Sequence, residues 1–285
     1  MAMNPKLLRP RSTIHPEAAD WANRVRANSG SVSGTTLNAV SKFCASIASA
    51  GIRDRFYRLN LFCGTADASL LAVRTPLYRG PSLAGTQYGN TLDTNFNFAI
   101  TDYAETGTGA GTGGLKGDGS TKYLATGLPM TFAGTNATHH SVGFIPDTTQ
   151  NYSVLVGARF NLSGAVAFEV SGVGGNFRCA NFSPGNSSAA YSPLAGRNQM
   201  FVTHTSGNIV SVYSRNSLLA ALTLGAYSPT FTTEYFLFAG DTNGVKSSLS
   251  KARISDYSIG LSMNDGARDA YAAALNSFNA AMGRT

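Results

Sequence analysis

Short runs of apolar, β-branched and aromatic side chains recur along most of the chain, bounded by clusters of Gly, Ser, Thr and Asn. Such runs lie at Phe96 to Ile100, Tyr123 to Leu128, Ser141 to Ile145, Tyr152 to Phe160, Val166 to Val170 and Phe177 to Phe182. They continue at Met200 to Thr205, Ile209 to Tyr213, Leu218 to Leu224, Phe236 to Gly240 and Ala252 to Ile259. That pattern predicts about ten or more strands joined by turns, enough for a two-sheet sandwich. Three stretches instead repeat at helical spacing. Pro16 to Asn28 carries proline at the favoured first position, Glu17 in the first turn and Ala18, Trp21, Ala22 and Val25 on one stripe, with Gly30 as its stop. Thr36 to Ala50 aligns Leu37, Val40, Cys44 and Ile47 and stops at Gly51. In the last, Ser262 and Asp265 fit a capping box, Tyr271, Ala274, Leu275, Phe278 and Met282 form the apolar stripe, and Gly283 ends the helix. Trp21 is expected to pack rather than to serve as a ligand platform.

The order of the closing segment carries a resemblance. Phe236 to Gly240, the turn Asp241-Thr242-Asn243-Gly244, Lys251 to Ile254, Ser258-Ile259-Gly260-Leu261-Ser262 and the helix Ala267 to Gly283 follow one another. This order resembles the end of laminin-G-like, concanavalin-A-like lectin domains found in structural proteins of tailed bacteriophages. Met200 to Thr205, Ile209 to Tyr213 and Leu218 to Leu224 resemble the central strands of that sandwich, with Asn216-Ser217 where the family often has Asn-Gly. Asp54 to Gly64 resembles the region preceding the lectin-like domain, and together the matches cover roughly a third of the chain, by pattern rather than by catalytic residues.

The resemblance implies a mainly β fold: a two-sheet antiparallel jelly-roll sandwich, concanavalin-A-like, with an N-terminal helical hairpin and a short C-terminal helix. It divides the chain into an extended basic docking arm over 1–12, a helical attachment region over 13–64, a linker over 65–84 and a laminin-G-like sandwich over 85–285. It also implies a function, that of a phage virion structural protein anchored to the head or tail by its N-terminal region. The sandwich would then be displayed for attachment to host-surface polysaccharide or for shell decoration. Its expected partners are other virion proteins and copies of itself within the particle. The rival from another class is a polysaccharide-degrading enzyme on the same fold, which two carboxylates about 5 to 10 Å apart in a groove would mark.

Composition agrees with an all-β chain rich in turns: glycine is 31 of 285 residues, and charged residues are 13% against a usual level of roughly 25%. Charge is unevenly placed. Residues 1–80 hold eleven Lys/Arg against four Asp/Glu, so the whole net charge of +7 sits there and the remainder is neutral. A basic leading segment on a neutral body reads as a solvated tail or a docking arm. Lys6, Leu7, Leu8, Arg9 and Arg11, set among Pro5 and Pro10, are the candidate partner-binding residues. With no recognisable module and no clustered basic face, nucleic acid is not the expected partner. Met1 to Arg11 lacks the apolar core of a signal peptide, and no run reaches about 18 apolar residues, so synthesis in the host cytoplasm without a signal peptide and no membrane span are expected.

Candidate chemistry is sparse. Cys44, Cys63 and Cys179 are too few and too scattered for a disulfide scaffold or a zinc site; buried thiols are expected, and a Cys44–Cys63 bridge stays open. Gly109, Gly111 and Gly114 satisfy G-x-G-x-x-G, but no helix or βαβ unit follows, so a dinucleotide site is rejected. Of the four glutamates, Glu17, Glu105, Glu169 and Glu234, none sits in the Glu-x-Asp-x-x-Glu pattern of lectin-fold glucanases, and no Gly-x-Ser-x-Gly elbow is present. No catalytic residue and no cofactor is therefore expected, although a Glu105–Glu169 pair in one groove would revive the enzyme. His139 and His140 read as a surface pair at a strand start whose side chains point to opposite faces. Asp241 and Asn243 offer oxygens to a calcium ion, as in some laminin-G-like domains, but Asp-x-Asn-Gly is equally an ordinary turn.

Overall fold

The structure, a computed structural model, describes residues 14–107, 113–130, 138–147, 153–160, 164–170, 176–183, 187–190, 196–206, 209–214, 216–223, 234–242 and 244–284. Side chains at 159, 160, 205, 206, 242 and throughout 164–190 lie outside the description. So do Lys6, Leu7, Leu8, Arg9 and Arg11 of the expected docking arm, and Asn243.

Helices α1 (Pro16–Ala27) and α2 (Gly34–Ser49) come first, then strand β1 (Phe56–Asn60) and the single turn α3 (Leu71–Arg74). Short strands β2 (Thr94–Phe96), β3 (Tyr103–Ala104) and β4 (Gly114–Lys116) lead to β5 (Tyr123–Pro129), β6 (Thr138–Ile145), β7 (Ser153–Phe160) and β8 (Gly164–Val170). Next are β9 (Asn176–Ser183), β10 (Ser187–Ala190), β11 (Asn198–Ser206), β12 (Ile209–Ser214) and β13 (Ser217–Thr223). The chain closes with β14 (Glu234–Leu237), the hairpin β15 (Gly240–Thr242) and β16 (Val245–Ser247), β17 (Arg253–Leu261) and α4 (Asp265–Ala281).

Two antiparallel sheets form the sandwich expected from the sequence. One runs β13-β12-β11-β6-β17-β4-β3, and the other runs β10-β9-β8-β7-β14-β5-β2. Central strand β17 pairs with β6 along its whole length on one edge, while β4 and β1 share its other edge. Phe56–Asn60, placed by the sequence in the helical region, is thus a strand of the first sheet.

This first sheet is apolar on both faces because it is covered on both. Met200, Val202, Val210, Val212, Val142, Ile254 and Ile259 point into the inter-sheet core with Tyr235, Leu237 and Val156. The alternate residues Phe201 and Tyr213 point outward into a second core with Phe56, Trp21, Phe43, Tyr271, Leu275 and Phe278. The N-terminal hairpin and α4 therefore form a third layer. Trp21 packs as expected, 2% exposed, with Nε1 donating to Thr75 O at 2.9 Å.

Several local expectations shift. α4 begins at Asp265 with Asn264 as its cap, whose side chain accepts from Ala267 N, so Ser262 is not the cap. α2 starts two residues earlier than expected, at Gly34, because Ser33 caps it through Thr36 N. Ser29, not Gly30, takes the left-handed conformation after α1, while a Cβ on Gly30 would meet Val25 at 2.9 Å. The run from Phe96 to Ile100 is broken by Asn97 at φ 65°, with Phe98 N donating to Asn95 Oδ1, so only Thr94–Phe96 pairs as a strand. Gly114 opens a strand paired to β17 rather than a helix, against a dinucleotide loop. Ser214 lies opposite Ser217 across the hairpin, with Asn216 in a turn before β13.

Candidate functional site

His139 and His140 are not a surface pair: both are fully buried on β6, because that strand is covered on both faces. They do point to opposite sides. His139 contacts Leu261 O at 2.7 Å and Ser258 Oγ at 3.0 Å through its two ring nitrogens and stacks on Phe201 beneath the helices. His140 contacts Tyr235 Oη at 3.1 Å in the inter-sheet core. Burial lowers the His139 pKa to about 4 and holds His140 well below its usual value, so both are neutral packing groups near pH 7.

Several carboxylates among the described residues are spent on internal ties. Glu17 pairs with Arg53, joining α1 to the turn before β1. Glu105 accepts from Thr36 Oγ1 at 2.6 Å and Gly64 N at 3.1 Å, and Glu234 accepts from Gly127 N. Asp93 and Arg58 are both fully buried, and Asp93 also accepts from Asn60 Nδ2 and Tyr257 Oη. Although burial opposes its charge, the Asp93 carboxylate raises the Arg58 pKa. Glu169 lies on β8, in the sheet opposite the one that ends near Glu105; its side chain is outside the description. Asp241 accepts from Gly244 N at 2.7 Å and pairs with Lys246, which is the turn reading of Asp-x-Asn-Gly.

Cys44 and Cys63 are buried free thiols, each pushed up to about 12 chiefly by burial. His15, Glu17 and Cys44 bring potential ligand atoms within 4.8 Å of one another, a grouping not evident from their spacing. There the Arg53 ion pair already engages Glu17, and the raised Cys44 pKa disfavours thiolate.

Two clefts among the described residues carry polar side chains in their lining. The wider, about 650 Å³, is lined by Ala50, Gly51, Arg55, His204, Asn264 and Asp265 among others. Its polar groups serve the fold: Asn264 caps α4, and Asp265 accepts from Tyr213 Oη and Arg268. The second, about 330 Å³, lies between the second half of α4 and the start of β11. Arg197, Asn198 and Gln199 line its sheet side; Asn276, Asn279 and Arg284 line its helix side, with Asn216 at the hairpin loop. Arg197 is held by Asp256 Oδ2 at 2.8 Å and Ser255 Oγ at 3.1 Å. Arg284 donates to the carbonyls of Glu105, Leu61 and Phe62, passing Gly113, where a Cβ would meet it at 2.7 Å. The cleft is thus framed by fixed guanidinium groups and lined by amide side chains together with Ala272 and Ala280. Sequence reasoning assigned no residue to it, since its parts lie about seventy positions apart and share no local motif.

No protein-family model and no curated protein matches the sequence. Solved structures resemble the fold. The botulinum neurotoxin serotype D binding domain is similar at a TM-score of 0.51 and 10% identity, over 77% of this chain and 51% of that one. A mutant HCR/D gives 0.51 and 10%, over 77% and 52%. Trypanosoma rangeli sialidase, in complex with the inhibitor DANA, gives 0.48 and 14%, over 75% and 32%. The chain spans about half the length of the first two, and the likeness concerns the fold alone. No helix among the described residues is long and apolar enough to cross a membrane.

Proposed function

We propose that this chain is a virion structural protein of a tailed phage or phage-derived particle, whose sandwich attaches to host-surface glycan by binding without cleaving it. The use of its carboxylates carries the binding half. Glu17, Glu105, Glu234 and Asp93 each tie distant elements together, and among the described residues no carboxylate lines the cleft between α4 and β11. Most glycoside hydrolases set two carboxyl groups across one groove. Amides serve the other task, since each offers two donors and an acceptor to hydroxyl groups. Likeness to a toxin binding domain supports only the scaffold, because function lives in the site. The virion half rests on the closing-segment resemblance and on the basic segment 1–80. In this reading Lys6, Leu7, Leu8, Arg9 and Arg11 dock on neighbouring subunits, the helices over 16–49 supply the attachment region, and the assembled copies present the sandwich outward.

The test uses fluorescent full-length protein on host cells before and after periodate, which cleaves the vicinal diols of glycans. The proposal predicts staining that periodate abolishes. Equal staining of treated cells, or none at the outset, would contradict it.

A further inference from the structure

We infer that His15, Glu17 and Cys44 form a site for one zinc ion, at the point where the chain enters helix α1. The site is independent of the glycan reading and concerns how the N-terminal layer is held.

Local structure brings the three side chains to one level. His15 caps α1 and Glu17 stands in its first turn, so both belong to the start of that helix. Cys44 lies on the buried stripe of α2 with Val40 and Ile47. His15 N donates to Ser41 Oγ at 2.8 Å, one turn before Cys44. One ligand atom from each residue then falls within 4.8 Å of the others. Zinc takes nitrogen, carboxylate oxygen and thiolate sulfur at about 2.0–2.3 Å, which sets neighbouring ligand atoms roughly 3.3–3.8 Å apart. Rotation of the half-buried His15 ring closes that gap, since the contact from Glu17 N to its Nδ1, at 3.4 Å, is long and readily given up. The Glu17 side chain keeps 10% of its surface exposed, so an ion enters past His15 and Glu17 while Cys44 closes the inner side.

The surroundings fit a bound cation. The Tyr78 hydroxyl lies beside the Cys44 sulfur, on a residue 1% exposed, and has no hydrogen bond of normal geometry. Buried hydroxyls are rarely left so, and a thiolate supplies the acceptor this one lacks. Arg53 bonds Oε1 of Glu17 and also donates to the carbonyls of Phe56 and Gly80. It thus orients the carboxylate from outside and leaves Oε2 for the ion, as the outer partners of metal-bound carboxylates do. The protonated Cys44 thiol belongs to the ion-free protein: zinc takes the place of the thiol proton, which passes to solvent. Carboxylate and thiolate together match the ion's two charges. One nitrogen, one oxygen and one sulfur suit zinc, whereas calcium and magnesium take oxygen ligands. Water completes the fourth position. Bound there, the ion clasps α1 to α2 directly behind the basic leading segment.

The experiment titrates reduced, chelator-treated full-length protein with cobalt(II), a coloured stand-in for zinc, and then with zinc. One equivalent of cobalt should produce a thiolate-to-cobalt charge-transfer band together with the visible bands of tetrahedral coordination, and zinc should bleach both. Cys44→Ala should abolish the charge-transfer band. His15→Asn keeps a helix cap but removes the imidazole at a half-buried position, so it does not depend on tolerance in the core, and it should weaken zinc by about tenfold or more. Tyr78→Phe should keep the band but shift it, as expected of a positioning residue. The double variant Cys63→Ala/Cys179→Ala should bind as the parent does. Zinc at about a hundredfold over its Kd should raise the parent's melting midpoint by roughly 5–10 °C and leave that of Cys44→Ala unchanged. A charge-transfer band that survives Cys44→Ala, its loss in the Cys63/Cys179 variant, equal zinc affinity in His15→Asn, or no band at all would overturn the site.

Discussion

Replacing Asp93 by Ala probes the buried network that joins β1, β17 and the segment between α3 and β2. Arg58 and Asp93 are both 0% exposed, and the Arg58 guanidinium also donates to Tyr257 Oη and to the carbonyls of Tyr88 and Asn90. Asp93 in turn receives Asn60 Nδ2 at 3.0 Å and Tyr257 Oη at 2.9 Å. Removing the carboxylate leaves a guanidinium charge in the core without its counter-ion, and two further donors lose an acceptor. Breaking such a pair costs about 3–5 kcal/mol, whereas replacing both partners by apolar groups of similar volume is often close to neutral. At about 2–4 °C per kcal/mol for a chain of this size, Asp93→Ala should lower the melting midpoint by roughly 6–20 °C. Urea unfolding supplies the free energy, and the double variant Arg58→Met/Asp93→Leu should recover most of the loss. A single-variant loss under about 1 kcal/mol, or a double variant worse than the single, would refute the reasoning.

Three further outcomes are expected, two from the structure and one from the sequence of the arm. Leu275→Ala, at a site 1% exposed beneath α4, should lose about 2–5 kcal/mol in urea unfolding; a loss near zero would mean the helix does not pack as described. His139 has its folded pKa lowered to about 4 from 6.5, so the unfolded chain binds the extra proton first and stability falls as pH drops from 6.5 towards 4. That loss should reach about 3 kcal/mol from His139 alone, with His140 adding to it, and His139→Gln should flatten the acid limb of a pH–stability curve. Deleting residues 1–12 should leave the melting midpoint unchanged while abolishing incorporation into particles; normal incorporation would reduce the basic segment to a solubilising tail.

Much of the fold was legible because local chemistry and tertiary role agreed. Helices with a stripe, a cap and a glycine stop appeared within two or three residues of their expected places, and Met200 to Thr205 and Ile209 to Tyr213 paired as strands. Misplaced details came where two local solutions were equally good. Ser262 and Asn264 both suit a helix cap, and only the side-chain bond to Ala267 N decides between them. His139 and His140 were misread because adjacent polar residues at a strand start suggest solvent, while a third layer formed by distant helices buries one of them and the opposite sheet buries the other. Phe56–Asn60 reads locally as the end of a helical region, and its pairing with β17 spans about two hundred positions. The amide cleft was invisible for the same reason. Asn279 sits between stripe positions of α4, and its place in the cleft depends on residues brought from the start of β11.

The central claim is that this sandwich holds glycan and leaves it intact. Its most direct measurement incubates full-length protein with purified surface polysaccharide of the bacterial host, then follows retained polysaccharide and released reducing ends together. The account predicts saturable retention with no increase in reducing ends over prolonged incubation. Sustained depolymerisation that substitution of Glu105 or Glu169 abolishes, or an absence of retention, would contradict it.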